Sequence, residues 1–389
     1  MTFEIATAGR ILVGPGVRHQ VPAAVAAMGA RSVLVVTGRS QDRAASLIAG
    51  FATAGLAAYV FPVADEPSVD VARAGVQALR DARADAVIAI GGGSALDTGK
   101  AIAALATNGG DPLDYLEVVG AGQVLTVAPL PFVAIPTTAG TGSEVTRNAV
   151  LSVPEARVKV SLRSPMMLPR LAVIDPDLLA AVPRAVIASS GVDALSQVIE
   201  PFLSIRSNPI TDALAREGIV RSARALRRAY QTGLGDDPAA REDLALASLC
   251  GGLCLANAGL GAVHGFAAPA GGMFGAPHGA VCAALLAPVL DVNLRALRAR
   301  APAHVALGRM AELAALLTGA APRDVAADDG VAFVVDLARA LAVPGLARHG
   351  MTRADVAPLV EKAKLASSMK GNPLPLTDHE LTEIADRAM

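Results

Sequence analysis

Neither sign of charge predominates in this chain: 34 lysines and arginines stand against 35 aspartates and glutamates, a net charge of -1. That balance excludes the basic stripe with which a protein grips nucleic acid or an anionic membrane surface. Cysteine is scarce and odd in number, with Cys250, Cys254 and Cys282 alone among 389 residues. A disulfide framework is excluded, and a reducing compartment, the cytoplasm, is the expected location. Cys250 and Cys254, four apart in apolar sequence, read as small buried core residues. The start, MTFEIATAGR, lacks a cationic stretch followed by an apolar core and does not read as a secretory signal. Aromatic residues are few, with no tryptophan, and together with an Ala-rich second half they point to a modest apolar substrate pocket.

One absence is local. From Leu244 to Leu290 there is no Asp, Glu, Lys or Arg. The run is long enough to cross a bilayer, but it is rich in Gly and Ala, is broken by Pro269, Pro277 and Pro288, and has no Lys/Arg flank to orient a span. Buried helices of a soluble core are the expectation, with no membrane partner. Two histidines, His264 and His278, lie inside this uncharged run, and each needs a polar partner there.

What is present divides by texture. The length suggests two or three domains. From Arg31 to about Asp175, the runs SVLVVTG, AYVFPV, DAVIAIGGG, FVAIPTT and LAVIDP alternate with Ala-rich helical patterns. Continuous apolar runs bounded by Gly, Pro or Thr suit strands buried on both faces, which predicts a parallel α/β sheet. Before them, FEIATAGRILVGPG has the alternation and glycines of a hairpin added at the edge. After Pro183 the strand-like runs stop, so the expected division is an α/β dinucleotide-binding domain over 1–183 and an all-helical metal and substrate domain over 184–389.

Two glycine-rich loops follow strands of the first half. In DAVIAIGGGSALDTGK a strand runs into Gly91, Gly92, Gly93 and Ser94 and then into a helix, so backbone N–H groups and the positive helix end face an anion such as a pyrophosphate. The run satisfies neither standard phosphate motif: Leu96 stands at the third glycine of G-x-G-x-x-G, and Ser94 at the first glycine of a P-loop. The second loop, PTTAGTGSEVT, sets hydroxyls and glycines at another strand end, where open α/β sheets bind ligands. Either loop alone also reads as a plain chain reversal; the two together favour a nucleotide site.

In SSGVDALSQVIEPF, Asp193 and Gln197 are four apart and share a helix face. With His264 and His278 they make three donors suited to one divalent ion and a weaker fourth, Gln197, which offers only a neutral amide oxygen. Each such residue taken alone more often serves as a cap or a bonded core group. Glu200, further along the same helix, reads as a structural ion-pair partner, and His19, His304, His349 and His379 read as surface or capping residues.

GGGSALDTGK, PTTAGTGSEVT, GVDAL, the two histidines of VHGFAAPAGGMFGAPHG and the closing NPLPLT occur in the order and spacing of the iron-containing, or group III, alcohol dehydrogenases, so the chain resembles that family over essentially its whole length. The resemblance implies an N-terminal dinucleotide-binding domain, a C-terminal helical domain and a catalytic divalent metal, ferrous iron or zinc. It implies that Gly91 to Ser94 bind the pyrophosphate, that Thr137, Thr138, Gly142 and Ser143 line the phosphate and nicotinamide side, that Asp97 stands by the nicotinamide ribose, and that Asp193, His264 and His278 are metal ligands. A homodimer is also implied. Two departures matter: Gln197 replaces a histidine of the family's D-A-L-x-H pattern, and Ala268 stands where a second histidine usually follows the first of the late pair.

The implied reaction moves a hydride between a small alcohol or its carbonyl product and NAD(P)(H), with the ion stabilising charge on the substrate oxygen. Without an imidazole at 268, the proton is expected to leave through water and ribose hydroxyls. After the first long strand, Gly38, Arg39 and Ser40 leave room, a cation and a hydroxyl where an acidic residue would disfavour a 2′-phosphate, so NADP(H) is the expected cofactor. The alternatives are a metal-independent maleylacetate reductase-like enzyme, a dehydroquinate synthase-like lyase, and a non-catalytic nucleotide-binding protein.

Overall fold

The computed structural model describes residues 2–156 and 158–389. The strands are β1 (Ile11–Val13), β2 (Ser32–Thr37), β3 (Ala57–Pro62), β4 (Ala86–Gly91), β5 (Phe132–Pro136), β6 (Asn148–Val153), β7 (Val158–Arg163) and β8 (Leu171–Ile174). The helices of the first half are α1 (Val21–Ala27), α2 (Ala45–Thr53), α3 (Val69–Ala82), α4 (Gly93–Asn108) and α5 (Pro112–Tyr115). Those of the second are α6 (Arg184–Leu203), α7 (Pro209–Thr232), α8 (Pro238–Ala258), α9 (Ala262–Phe274), α10 (His278–Arg300), α11 (Val305–Thr318), α12 (Ala327–Ala340), α13 (Val356–Leu365) and α14 (Asp378–Arg387). Two compact units result, one from residues 6–138 and 142–181, the other from 182–389 with residues 139–141 and the amino-terminal residues to Ile5.

The first unit is built on a six-stranded parallel sheet in the order β1-β8-β5-β4-β2-β3. Successive side chains of a strand point to opposite faces, and the strand residues accordingly divide between two cores. Val33, Val35, Ile88, Ile90, Val133 and Ile135 meet Val21, Val25, Leu47 and Phe51 of α1 and α2. Leu34, Val36, Val87, Ala89 and Phe132 meet the α3 and α4 residues Ala72, Val76, Leu96 and Ile102 on the other face. Burial on both faces is why β2, β4 and β5 read as unbroken apolar runs, whereas AYVFPV forms β3 at the sheet edge with Tyr59 and Val60 exposed, because an edge strand is covered less. Gly99 lets α4 lie close to the sheet, since a Cβ there would come within 2.9 Å of Ala89 Cβ and Phe132 Cε2.

Two parts of this unit differ from the sequence expectation. FEIATAGRILVGPG forms no hairpin: β1 is one short strand, paired in parallel with β8 through Ile11↔Ala172 and Val13↔Ile174. Its three apolar residues suffice to extend the sheet by one edge, and the flanking glycines turn the chain away. The hairpin lies instead at β6–β7, antiparallel from Asn148↔Arg163 to Val153↔Val158, with Ala149, Leu151 and Val153 buried.

The second unit contains no strand among its described residues. Its helices start at capped positions: Asn208 and Thr211 form a reciprocal capping box ahead of α7, Asp237 caps α8, and Thr377 with Glu380 boxes α14. α6 packs against α7, α8 and α10. α10 is long and apolar enough to cross a membrane, but 83% of its apolar window is buried inside the fold, as a core helix would be.

Candidate active site

Asp193, Gln197 and Glu200 project from the middle of α6, and all three are buried. α10 begins at His278 beside α6, an approach that Gly279 permits, because a Cβ there would stand 2.8 Å from Ser189 O. His264 comes from the first turn of α9. His264 Nε2 lies 3.2 Å from Asp193 Oδ1, and His278 Nε2 lies 3.7 Å from the same oxygen. The expected donors Asp193, His264 and His278 are thus gathered at one point. Donors bound at ~2.0–2.1 Å in a tetrahedral shell stand ~3.3–3.4 Å apart, so this carboxylate and these two imidazoles fit one divalent ion.

A fourth donor was not anticipated. Cys282 follows His278 by one helical turn, with Sγ 3.6 Å from His278 Nε2 and 3.8 Å from His264 Nε2. One ligand atom from each of Asp193, His264, His278 and Cys282 lies within 4.8 Å of the others. The signal in the sequence was the spacing His278-x-x-x-Cys282, which places both on one helix face. Cys250 and Cys254 are buried core residues of α8, as expected; the Cys254 thiol donates to Thr211 O.

The electrostatics of the cluster are those of opposed charges, with Asp193 and His264 held out of water and His278 partly exposed. Burial favours the neutral form of Asp193, but the two imidazoles and Cys282 outweigh it and hold the carboxyl below its ordinary range. Burial likewise opposes protonation of His278, and Cys282 with Asp193 overcomes it, pushing the imidazole up to about 9. For His264 burial is again outweighed, by Cys282, Asp193 and Glu200, and the shift is upward. A divalent cation supplies the same positive charge as those protons, which is the chemical signature of a metal donor set.

Glu200 does more than form an ion pair. One oxygen accepts from His264 Nδ1 at 2.6 Å and the other from the Val263 backbone N–H at 2.7 Å. The carboxylate therefore holds the imidazole with Nδ1 protonated and Nε2 toward Asp193. Gly261 makes room for it, since a Cβ there would meet Glu200 Oε1 at 2.9 Å. Gln197 Oε1 is buried with no hydrogen-bond partner among the described residues and lies against Gly251 of α8.

In the α/β unit, the expected nucleotide residues meet at the carboxyl ends of β2, β4 and β5. Thr137 N–H donates to Gly91 O, a Cβ on Gly91 would approach Gly38 N at 3.2 Å, and one on Gly92 would touch Thr138 Oγ1 at 3.4 Å. Gly92 is the N-cap of α4 and offers no side chain, so the N–H groups of the first turn around Gly93 and Ser94 have no side-chain cap. Gly142 takes the left-handed conformation, φ 61°, and starts the turn through Ser143.

Asp97 and Ser143 bond each other: Ser143 Oγ donates to Asp97 Oδ1 at 2.5 Å, and Oδ2 accepts from Val150 N–H. Lys100, fully buried, donates to Ser143 O and Oγ, Thr146 Oγ1 and Asn148 O, tying the second glycine loop to β6. Burial pulls its ammonium down to about 8 and pushes the neighbouring Glu144 carboxyl up to about 7. Arg39 is exposed and donates to Ala64 O and Asp65, while Ser40 Oγ donates to Asp42. A Cβ on Gly38 would meet nothing within 4 Å. Of the remaining histidines, His304 caps α11 through Nδ1 and His19 and His379 are exposed, but His349 is half-buried, with Nε2 inside and without a hydrogen-bond partner among the described residues, because its short helix packs that ring edge inward.

The profile of the family described as iron-containing alcohol dehydrogenase matches residues 8–176, and that of the C-terminal part of the Fe-containing alcohol dehydrogenase family matches residues 187–389. The 1,3-propanediol dehydrogenase of Klebsiella pneumoniae is 33% identical over 341 residues, 86% of this chain and 84% of that protein. The choline dehydrogenase of Bacillus subtilis is 32% identical over 97% of this chain and 92% of its own length. A crystal structure of 1,3-propanediol oxidoreductase superposes over the whole of both chains with a TM-score of 0.91 at 32% identity.

Proposed function

The chain belongs to the iron-containing alcohol dehydrogenase family and is an oxidoreductase of CH–OH groups, and on that premise we propose that Asp193, His264 and His278 hold its divalent ion. The observation that carries this reading is the convergence of one carboxylate from α6 with two imidazoles from the otherwise uncharged run Leu244–Leu290, at 3.2 and 3.7 Å. A bound ion, ferrous iron or zinc, supplies Lewis-acid polarisation of the substrate oxygen. The protein's part is to orient. Glu200 fixes the His264 tautomer, and Asp193 contributes negative charge. Gln197, with its unpartnered amide oxygen, serves as a weak further ligand or as an acceptor for water or a substrate hydroxyl.

In the α/β unit, Gly91 to Ser94 and the uncapped start of α4 bind the pyrophosphate, with Thr137, Thr138, Gly142 and Ser143 lining the phosphate and nicotinamide side. Asp97 acts there by holding Ser143 in place. A nicotinamide held by these residues would accept the hydride of the alcohol carbon, giving a carbonyl compound and NAD(P)H, while the hydroxyl proton would pass to solvent. Ala268 offers no imidazole for that proton, so water and ribose hydroxyls carry it. The open space over Gly38 and the exposed Arg39 favour NADP(H). Its pair with Asp65 is solvent-exposed and gives way to a phosphate at little cost.

The proposed substrates are short alcohols and diols, as the names of the relatives suggest, in a homodimer of the cytoplasm. The test is NAD(P)+ reduction with a panel of short alcohols. Turnover on at least one is expected, and none on any alcohol, with no reduction of the matching aldehydes, overturns the reading.

A further inference from the structure

The ligand set proposed above leaves Cys282 unexplained. Its side chain is fully buried, so it does not serve as a surface thiol. It faces both imidazoles, with Sγ 3.6 Å from His278 Nε2 and 3.8 Å from His264 Nε2. In a tetrahedral shell with a metal–sulfur bond of ~2.3 Å and metal–nitrogen bonds of ~2.0–2.1 Å, sulfur and nitrogen stand ~3.6 Å apart. Sulfur is thus spaced from the two nitrogens as a fourth ligand would be, while the nitrogen–oxygen separations of 3.2 and 3.7 Å bracket the ~3.3–3.4 Å of such a shell. Gln197 Oε1 meanwhile lies against Gly251.

We propose that the thiolate of Cys282 is the fourth protein ligand of the ion, replacing the ligand lost where Gln197 stands. The proposal rests on the reading that this cluster holds an ion, and it adds the identity of the fourth donor. On binding, the S–H bond of Cys282 is broken, its proton goes to solvent and the sulfur lone pair bonds the cation, with no change of oxidation state. A soft thiolate beside two imidazoles moves the preference from ferrous iron toward zinc. Side-chain exposure is 39% for His278 and 5% or less for His264 and Asp193, so the cluster meets solvent on the His278 side.

Cobalt(II) substitution tests this, because a cobalt–thiolate bond adds a near-ultraviolet charge-transfer band that oxygen and nitrogen donors do not give. The full chain, stripped and reloaded with one equivalent of cobalt, should show the band. C282A and C282S should lose it and bind cobalt and zinc about 100-fold or more weakly, since changes outside the ligand shell already cost ~10–100-fold. Q197A, which removes at most a weak neutral donor, should keep the band and lose far less affinity than C282S. Circular dichroism of the metal-free variants checks that they fold; if C282A does not, C282S carries the comparison. A stoichiometric cobalt protein without the band, or affinity lost in Q197A and kept in C282S, overturns the proposal. The functional reading fails separately: alcohol turnover without the band sinks only the thiolate, and the band without turnover sinks only the activity.

Discussion

The Glu200 carboxylate receives the Nδ1–H of His264 at 2.6 Å and, through its other oxygen, the first-turn N–H of Val263. A single acid therefore sets the tautomer of a proposed ligand and stands in for the missing side-chain cap of α9. Metal-binding histidines depend on such partners for orientation and basicity. E200A should retain every proposed ligand yet bind zinc or iron ~10–100-fold more weakly. Isothermal titration of the stripped protein measures this, and unchanged affinity would show that the carboxylate serves only the helix.

Close packing of α4 on the sheet is predicted to depend on Gly99. In G99A the new methyl meets Ala89 and Phe132 at 2.9 Å. Overpacking costs ~1–3 kcal/mol, partly offset by the ~1 kcal/mol that alanine gains over glycine in a helix. The net cost is up to ~2 kcal/mol, so thermal unfolding should show a midpoint lower by up to roughly 8 °C; a higher midpoint would mean that the helix shifts freely.

Glu144 supplies a pH signature. Its folded-state pKa is raised by burial from 4.5 to about 7. Between those values the unfolded chain has lost the proton and the folded chain keeps it, so stability is full below pH 4.5 and declines as pH rises through about 7. The span corresponds to roughly 3 kcal/mol. E144Q lacks this titration, so its advantage over the unsubstituted protein should grow from pH 5 to 7.5 in denaturant melts. Parallel curves for the two proteins would contradict it.

Cofactor preference is predicted to turn on Gly38. G38D introduces a carboxylate into open space at the end of β2, where it accepts from ribose hydroxyls and repels a 2′-phosphate. The ratio of kcat/KM for NADP+ over NAD+ should fall at least about tenfold, ~1.4 kcal/mol. A ratio that does not move would place the adenosine ribose elsewhere.

How much of this was legible in the sequence follows from where each signal lies. β2, β4, β5 and β8 announce themselves as runs such as Val33–Val36 because both faces are buried. β6 and β7 are buried on one face only, and their short alternation between polar loops did not separate from its surroundings. β1 was readable as a strand but not as a lone parallel one, since pairing with β8, more than 150 residues away, is a tertiary fact. That Asp193, His264 and His278 would come together was legible through chemistry and order. Cys282 and the Glu200 contact were not, because both depend on which face α9 and α10 turn toward α6. The commitment of Asp97 to Ser143 and Val150 was equally hidden.

The central claim is that alcohol oxidation by this chain requires the ion held by Asp193, His264 and His278. It is tested most directly by removing the metal with a chelator, measuring metal content by mass spectrometry, and restoring zinc or iron in steps while following NAD(P)+ reduction. Activity should fall with the metal and return in proportion to it, saturating at about one ion per chain as expected for a single tetrahedral cluster. Full turnover in protein holding less than about a tenth of an ion per chain would contradict the account.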